Sequence, residues 1–420
     1  MTAAAVSERA RKILHVGMGG FALLLRVLPW WHAALLAGSA LLFTGLALPR
    51  LGGTRLYREA EHTRGYSAGM RLYPLSILLL VLLFPTRLDI VAAAWGILAA
   101  GDGMAGLIGP VAGGPRIPWN REKSCAGSLA FWVCGSLAGM VLAWWCRPAA
   151  VAAPEIWFSL GAPILAAAIA ALAETVPIRL DDNLTVPFTA AGVLWAASLV
   201  TADALSAWMP DLIQRLPIAV VVNAAVAVAG HRASTVSTSG AIVGAAIGSV
   251  IFLGTGWAGW ALLMATFLAA SVTSRIGLRR KTLLGIAEER GGRRGAGNAL
   301  ANAGIATIAA VLAAATPHPE LPALALVAAL TAGGSDTVAS EVGKAFGRRT
   351  FLVHTGRPVP PGTPGAVSLE GTAAGLAGAF VLGSAGVGLG LVAASALAAI
   401  VVGATVGAFA ESALGATLEH

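Results

Sequence analysis

A chain of 420 residues that is 57% hydrophobic, only 11% charged and has a mean hydropathy of +0.79 carries too little polar surface to be a soluble enzyme. It reads as an all-α, polytopic helical membrane protein. The net charge of +8 is not a nucleic-acid footprint, because 22 of the 28 Lys and Arg fall in five clusters: Arg9 to Lys12, Arg50 to Arg71, Arg116 to Lys123, Arg275 to Arg294 and Lys344 to Arg357.

Taken in chain order, apolar runs of spanning length number about fourteen. The first part has them near 13–29, 32–49, 72–86, 90–109, 126–146, 156–174 and 186–207. The second has them near 217–231, 238–253, 257–274, 298–316, 322–342, 368–384 and 388–413. The amphipathic stretch at 207–217 is expected to join the parts on the outer side. The expected domains are therefore 1–210 and 211–417, with 418–420 a probable tag scar. The N-terminal run lacks a small-residue cleavage site and is expected to be a span, not a removed signal. Counting spans puts all five basic clusters on one side, the positive-inside pattern, which assigns them to the cytosol of a bacterial inner membrane or its equivalent. Cys125, Cys134 and Cys146 lie in one apolar segment, with neither a disulfide framework nor metal-ligand spacing.

One polar phrase occurs twice. The first copy, GDGMAG from Gly101, resumes after a basic Gly/Pro loop as KSCAGSLAF; the second, GSDTVASEVG from Gly334, resumes as VSLEGTAAG. Both contain D-x-x-A (Asp102 to Ala105, Asp336 to Ala339) and then S-x-x-G-[ST]-x-A (Ser124 to Ala130, Ser368 to Ala374). Because an even number of spans separates the copies, they form two parallel-oriented halves. A carboxylate inside an apolar helix is expensive and marks a functional site. Asp102 lies 13 residues beyond Asp89, about 20 Å along a helix, and so near the cytosolic edge. Asp336 sits at a similar depth, 14 residues past Pro322. Acids there with Mg²⁺ can bridge phosphates, and neighbouring cations neutralise developing charge. Those cations are Arg121 and Lys123 in the first copy, and Lys344, Arg348 and Arg349 in the second. The segments Ser124–Gly127–Ser128 and Ser368–Gly371–Thr372 open helices whose free N–H groups favour phosphate, or simply cap them.

Further polar groups flank each copy. RKILHVG places His15 at a membrane entry beside Arg11 and Lys12, either interfacial or catalytic. AETVPIRLDDNLTVP gathers Glu174, Asp181, Asp182 and Asn183, a divalent-cation and nucleotide site or a solvated loop. In the second part Asn298 and Asn302 lie at i, i+4 on one helix face, able to bind a headgroup or phosphate or to bond a neighbouring helix. Glu341, Glu370 and Glu411 supply further carboxylates. No Walker A pattern and no nucleophilic triad occurs.

RKILHVGMG, GDGMAGLIG, WNREKSCAGSLAF and ETVPIRLDDNLTVP together resemble the membrane polyprenol kinases related to phytol kinase, dolichol kinase and phosphatidate cytidylyltransferase, over about 200 residues. Gly106 stands where many relatives have a second Asp. Ala126 stands where dolichol-kinase-like members have Glu and phytol-kinase-like ones tolerate Ala. STSGAIVGA, GAGNALANAG, GGSDTVASEVGKAFG, PPGTPGAVSLEGT and ESALGA resemble the family that includes plant phytyl-phosphate kinase, with Glu411 where relatives usually have Asp. The resemblances imply a fusion that phosphorylates a prenyl alcohol such as phytol, geranylgeraniol or farnesol, and then the prenyl monophosphate. CTP (or UTP) is the implied donor with Mg²⁺, and the product would feed tocopherol-type pathways.

The implied first site has Asp102 holding metal with Asp181 or Asp182, Lys123 on phosphate, and His15 or Glu174 assisting. The implied second has Asp336, Glu341 and Glu370 as the acidic set and Lys344 with Arg348 as the cationic one. The expected partners are these lipids, the nucleotide and the bilayer, with homodimerisation open and no nucleic acid. Two rivals stand beside this reading: a cytidylyltransferase forming a CDP-lipid, and a transporter or flippase of an anionic prenyl lipid.

Overall fold

A computed structural model describes residues 3–51, 57, 61–62, 66–152, 154–177, 180–286 and 293–418, with side chains from residue 10 to 416. Residues 419–420 of the expected tag scar, and parts of the second and fourth basic clusters, lie outside that set. The chain is an all-α polytopic membrane protein with two short β ribbons. It divides into two compact units, Met1–Leu199 and Val200–His420.

The first unit runs α1 (Ala3–Met18), a 3₁₀ segment Gly19–Arg26, α2 (Trp30–Arg50), α3 (Ala68–Leu83) and α4 (Leu88–Ala112). The antiparallel ribbon β1 (Arg116–Ile117) and β2 (Asn120–Ser124) follows, then α5 (Cys125–Cys146), α6 (Ile156–Thr175) and α7 (Asp182–Leu199). The axis of this unit is α4, whose residues from Leu88 to Ala99 are all buried. Its small residues let neighbours approach closely, the means by which helices pack in lipid. Gly96 lies against Ala138 and Leu142, and Gly101 against the ring of Phe131. The span widens into a π-helical stretch, Ile97–Asp102, that ends on Asp102 itself, a distortion common at functional sites.

The second unit runs α8 (Ala202–Arg232), α9 (Thr238–Arg275), a short α10 (Leu278–Leu283), α11 (Ala296–Ala315) and α12 (Glu320–Phe346). The ribbon β3 (Thr350–Leu352) and β4 (Ala366–Ser368) then leads to α13 (Leu369–Gly388) and α14 (Leu397–Leu418). A straight helix of 38 residues would be about 57 Å long, far beyond a ~30 Å hydrocarbon core. Gly256, at φ 64° and ψ −152°, breaks α9 into two segments that pack on the same part of α8. Asn223 of α8 lies against Gly248 of the first segment and accepts from Trp260 Nε1 of the second at 3.0 Å.

Among the described residues, ten helices are long and apolar enough to cross a membrane, against the fourteen runs expected. Four differences make up the gap. The runs at 238–253 and 257–274 form the single broken helix α9. The run at 13–29 is an α-helix followed by a 3₁₀ segment, that at 72–86 is the 16-residue α3, and that at 186–207 is the 18-residue α7. The stretch 207–217 is not a separate connection but lies inside α8, which accommodates both Pro210 and Pro217.

Candidate functional site

The repeated phrase has one local structure in both units. Asp102, Ala105 and Gly109 lie at i, i+3 and i+7 on α4; Asp336, Ala339 and Gly343 have the same spacing on α12. Each helix leads through a β ribbon to a serine that caps the next helix. Ser124 Oγ accepts from Gly127 N at 3.1 Å, and Ser368 Oγ accepts from Gly371 N at 3.1 Å. The two helices then meet glycine to glycine. A Cβ on Gly127 would lie 3.4 Å from both Ala105 O and Gly109 Cα; on Gly371 it would lie 2.7 Å from Ala339 O and 3.1 Å from Gly343 Cα. Both copies thus pack a capped helix N-terminus against the helix that carries the acid.

In the first unit, Asp102 is gripped by the N-terminal helix. Lys12 Nζ donates to its two carboxylate oxygens at 2.9 and 3.1 Å, and His15 Nε2 lies 3.3 Å from Oδ2. Lys12 and His15 are i, i+3 neighbours on one face of α1. Tyr73 packs edge-on against the His15 ring, donates to His15 O at 3.4 Å, and itself accepts from Trp95 Nε1 at 2.9 Å. Gly106 makes room for this arrangement, since a Cβ there would lie 2.5 Å from Lys12 Cε. An aspartate at this position would displace that lysine.

The other wall comes from β2 and the α6–α7 junction. Trp119 Nε1 donates to Thr175 Oγ1 and Asn120 Nδ2 to Thr175 O, each at 3.1 Å, fastening the ribbon to the end of α6. Lys123 Nζ then lies 2.6 Å from Glu174 Oε1 and 3.1 Å from Asp182 Oδ2. Burial alone would lower the Lys123 pKa, but the two carboxylates outweigh it and hold the ammonium above its ordinary value. One carboxylate oxygen from each of Asp102, Glu174 and Asp182 falls within 4.8 Å of the others. Three hard oxygen donors this close fit a Mg²⁺ ion that keeps several waters.

Asp181 faces elsewhere: its Oδ1 accepts from Asn183 N at 2.9 Å and Nδ2 at 2.7 Å, a local turn at the start of α7. Asn183 Oδ1 is buried without a partner, an acceptor open to a ligand. Arg121 is exposed on β2, and Ser128 is half-buried four residues past the cap.

In the second unit, a cavity of about 400 Å³ is lined by Asp336, Lys344, Ser368, Gly371, Thr372 and Glu411 among others. Its floor is the face of α12 that carries Asp336, Ser340 and Lys344. Its far side is α14, clasped by the loop at Gly365, whose φ of 72° takes the chain within contact of Ser412 O and Ala416.

Glu341 does not join this cavity. Five residues past Asp336 is about 140° round the helix. There its carboxylate is buried against Lys281 Nζ at 2.6 Å, while its second oxygen reaches Lys344 Nζ at 3.3 Å. Arg280 donates to Ala345 O and Gly347 O at 2.9 and 3.1 Å, closing the C-terminus of α12. Glu370 is half-buried outside the lining, Arg348 and Arg349 are exposed, and Asn298 and Asn302 line a different cavity. The groups given no role from the sequence are Lys12, Tyr73 and Trp95 in the first unit and, in the second, Glu411, noted there only as a further carboxylate. The i, i+3 spacing of Lys12 and His15 was a visible signal for the first of these. The others depend on tertiary contacts.

This is a polytopic helical membrane protein in which one local geometry, acid on one helix and capped N-terminus on the next, occurs twice. Residues 221–420 match the model of the DUF92 integral membrane proteins, and the chain belongs to that family. It is 42% identical to an uncharacterized membrane protein of Synechocystis over 176 residues, 41% of this chain and 68% of the relative. It is 34% identical to the chloroplast protein VTE6 of Arabidopsis thaliana over 187 residues, 44% of this chain and 56% of that protein. A probable phytol kinase of Glycine max chloroplasts is 32% identical over 192 residues, 43% of this chain and 60% of that one. The chain thus spans little more than half the length of these plant relatives. No solved structure matches it.

Proposed function

We propose that the chain is a membrane prenyl-lipid kinase with two sites, the first phosphorylating a prenyl alcohol such as phytol and the second phosphorylating the resulting monophosphate. The observation that carries this reading is the shared geometry: in each unit the helix that carries an in-helix aspartate packs, glycine to glycine, on the serine-capped N-terminus of the following helix. Such a terminus holds phosphate, and transfer between phosphates needs mainly positioning and charge stabilisation. The names of the plant relatives support the substrate class.

In the first site Asp102, Glu174 and Asp182 are the ligands for Mg²⁺, which when bound supplies charge neutralisation for the donor phosphates. Lys123 and Lys12 bind the transferred phosphoryl oxygens, and the buried Asn183 Oδ1 takes a donor N–H of the nucleotide. The prenyl hydroxyl oxygen forms a bond to the γ-phosphorus as the bond to the nucleoside diphosphate breaks. The hydroxyl proton passes to His15, oriented by Tyr73.

In the second site the nucleophile is a phosphate oxygen. Its second pKa lies near ~6, so it is already anionic and needs no base. This accords with a lining that has Asp336, Lys344 and Glu411 but, among the described residues, no histidine. CTP (or UTP) is the proposed donor, and both sites face the cytosol on the side of the clustered Lys and Arg.

The test is to give purified protein in lipid labelled CTP, Mg²⁺ and phytol, and to identify both lipid and nucleotide products. Asp102→Ala should lose monophosphate formation, and Asp336→Ala should accumulate monophosphate. Release of pyrophosphate in place of CDP would indicate a cytidylyltransferase. Failure to phosphorylate any prenyl alcohol or prenyl phosphate would end the kinase reading.

A further inference from the structure

On the other side of the Gly333–Asp336 turn from the second site lies a separate cavity of about 120 Å³. Its body is apolar, walled by Ile247, Leu263, Met264, Phe267 and Leu330. Its polar lining includes Arg294, Asn298 and Asn302, beside Asn223 and Thr266. Gly333 and Gly334 belong to this lining, while the next two residues, Ser335 and Asp336, belong to the lining of the second site.

Arg294 is the unusual member. It is 8% exposed, and its backbone is locked by Ser237 N donating to its carbonyl and by its own N–H donating to Thr235 O, each at 3.0 Å. Its Nη2 donates to Ser274 Oγ at 3.1 Å and weakly to Ala270 O at 3.4 Å, but its Nε is buried without a partner. Among the described residues no carboxylate pairs with it. A buried guanidinium lacking a counter-charge is costly, and the cost falls when an anion arrives.

The small volume suits the head-proximal stretch of one branched chain, not the paired acyl chains of a phospholipid.

We infer that this slot binds an amphiphile with a single isoprenoid chain and a phosphate monoester head, the head on Arg294 and the two asparagines, the chain among the apolar walls. The inference rests on the reading of this unit as one that acts on a prenyl phosphate, and makes the slot its acceptor-lipid site, adjoining the cavity of Asp336. A membrane phospholipid is the other source of the same head chemistry, so the test must separate them.

Gly244 lines the slot, and a Cβ there would meet nothing within 4 Å. Gly244→Phe therefore starts from open space and narrows the slot, and Ala299→Leu narrows it from the α11 side. Binding of farnesyl monophosphate to the full chain in lipid nanodiscs, without nucleotide, should weaken about tenfold in each. Arg294→Gln should weaken farnesyl monophosphate to a similar degree while leaving farnesol binding unchanged. Asp336→Ala should bind as wild type.

Wild-type affinity in both narrowed variants would overturn the proposal. So would equal competition by dioleoyl phosphatidate, or loss of binding in Asp336→Ala with retention in the narrowed variants. The two readings fail separately. A protein that binds farnesyl monophosphate in the slot but transfers no phosphate retains the slot and loses the kinase. Narrowed variants that phosphorylate at the wild-type rate lose the slot alone.

Discussion

The positive charge that meets Asp102 comes from Lys12, ninety residues earlier, and not from the basic loop that follows it in sequence. Removing this ammonium from the proposed phosphoryl-transfer site should be felt in the rate more than in folding. Lys12→Met is expected to lower prenyl monophosphate formation about a hundredfold, read as product formed per minute, with the second phosphorylation of supplied farnesyl monophosphate unaffected. Glu341 calls for the opposite expectation. It is held between Lys281 and Lys344 outside the cavity, so its loss strands a lysine that is only 1% exposed. Breaking one side of a buried pair costs about 3–5 kcal/mol, whereas replacing both partners by apolar groups of similar size is near neutral. Thermal unfolding in detergent should therefore show Glu341→Ala strongly destabilised and Lys281→Met/Glu341→Leu much less so.

Between elements, the repeated phrase acts through a cap and a close glycine contact. Ser124→Ala and Ser368→Ala each remove the acceptor for a helix N-terminal N–H and should cost ~1 kcal/mol in unfolding measurements. The glycine contact is tighter in the second unit, where a Cβ on Gly371 would sit 2.7 Å from a backbone oxygen. In the first, the corresponding approach at Gly127 is 3.4 Å. Gly371→Ala should therefore destabilise the fold by about 1–3 kcal/mol and lower the melting temperature clearly, and Gly127→Ala little. Equal effects would contradict the packing described. Much at this scale was legible in advance: Ser-x-x-Gly after a basic loop is a cap signature, and D-x-x-A places acid and small residue on one face. What misled was helix phase. Glu341 is near Asp336 in sequence, yet five residues turn it toward Lys281, a consequence readable from 3.6 residues per turn alone. The single broken helix α9 was also hidden, because Gly256 looks like any glycine until its φ of 64° is seen.

For the whole molecule, the two proposed sites in one chain raise the question of how the proposed intermediate travels. A prenyl monophosphate is an amphiphile that resides in the bilayer, so its passage need not occur within one polypeptide. Asp102→Ala and Asp336→Ala proteins reconstituted in the same vesicles should together make diphosphate from alcohol, although neither does so alone. Diphosphate from wild type but none from the mixture would show that the intermediate stays within one chain.

Composition and hydropathy by themselves determined the class, a polytopic helical membrane protein, because burial in lipid is a property each apolar run satisfies locally. The duplicated phrase was likewise local, and with it the positions of Asp102, Asp336, Ser124 and Ser368. Only the tertiary structure decided which groups meet those acids. Lys12 closes on Asp102 across ninety residues, and Glu411 of the last helix shares a cavity with Asp336 from 75 residues further on. Asp181, Glu341 and Glu370, though close by in sequence, turn elsewhere. Such meetings follow from how helices pack through their small residues, and no periodicity within one segment encodes its partner on another.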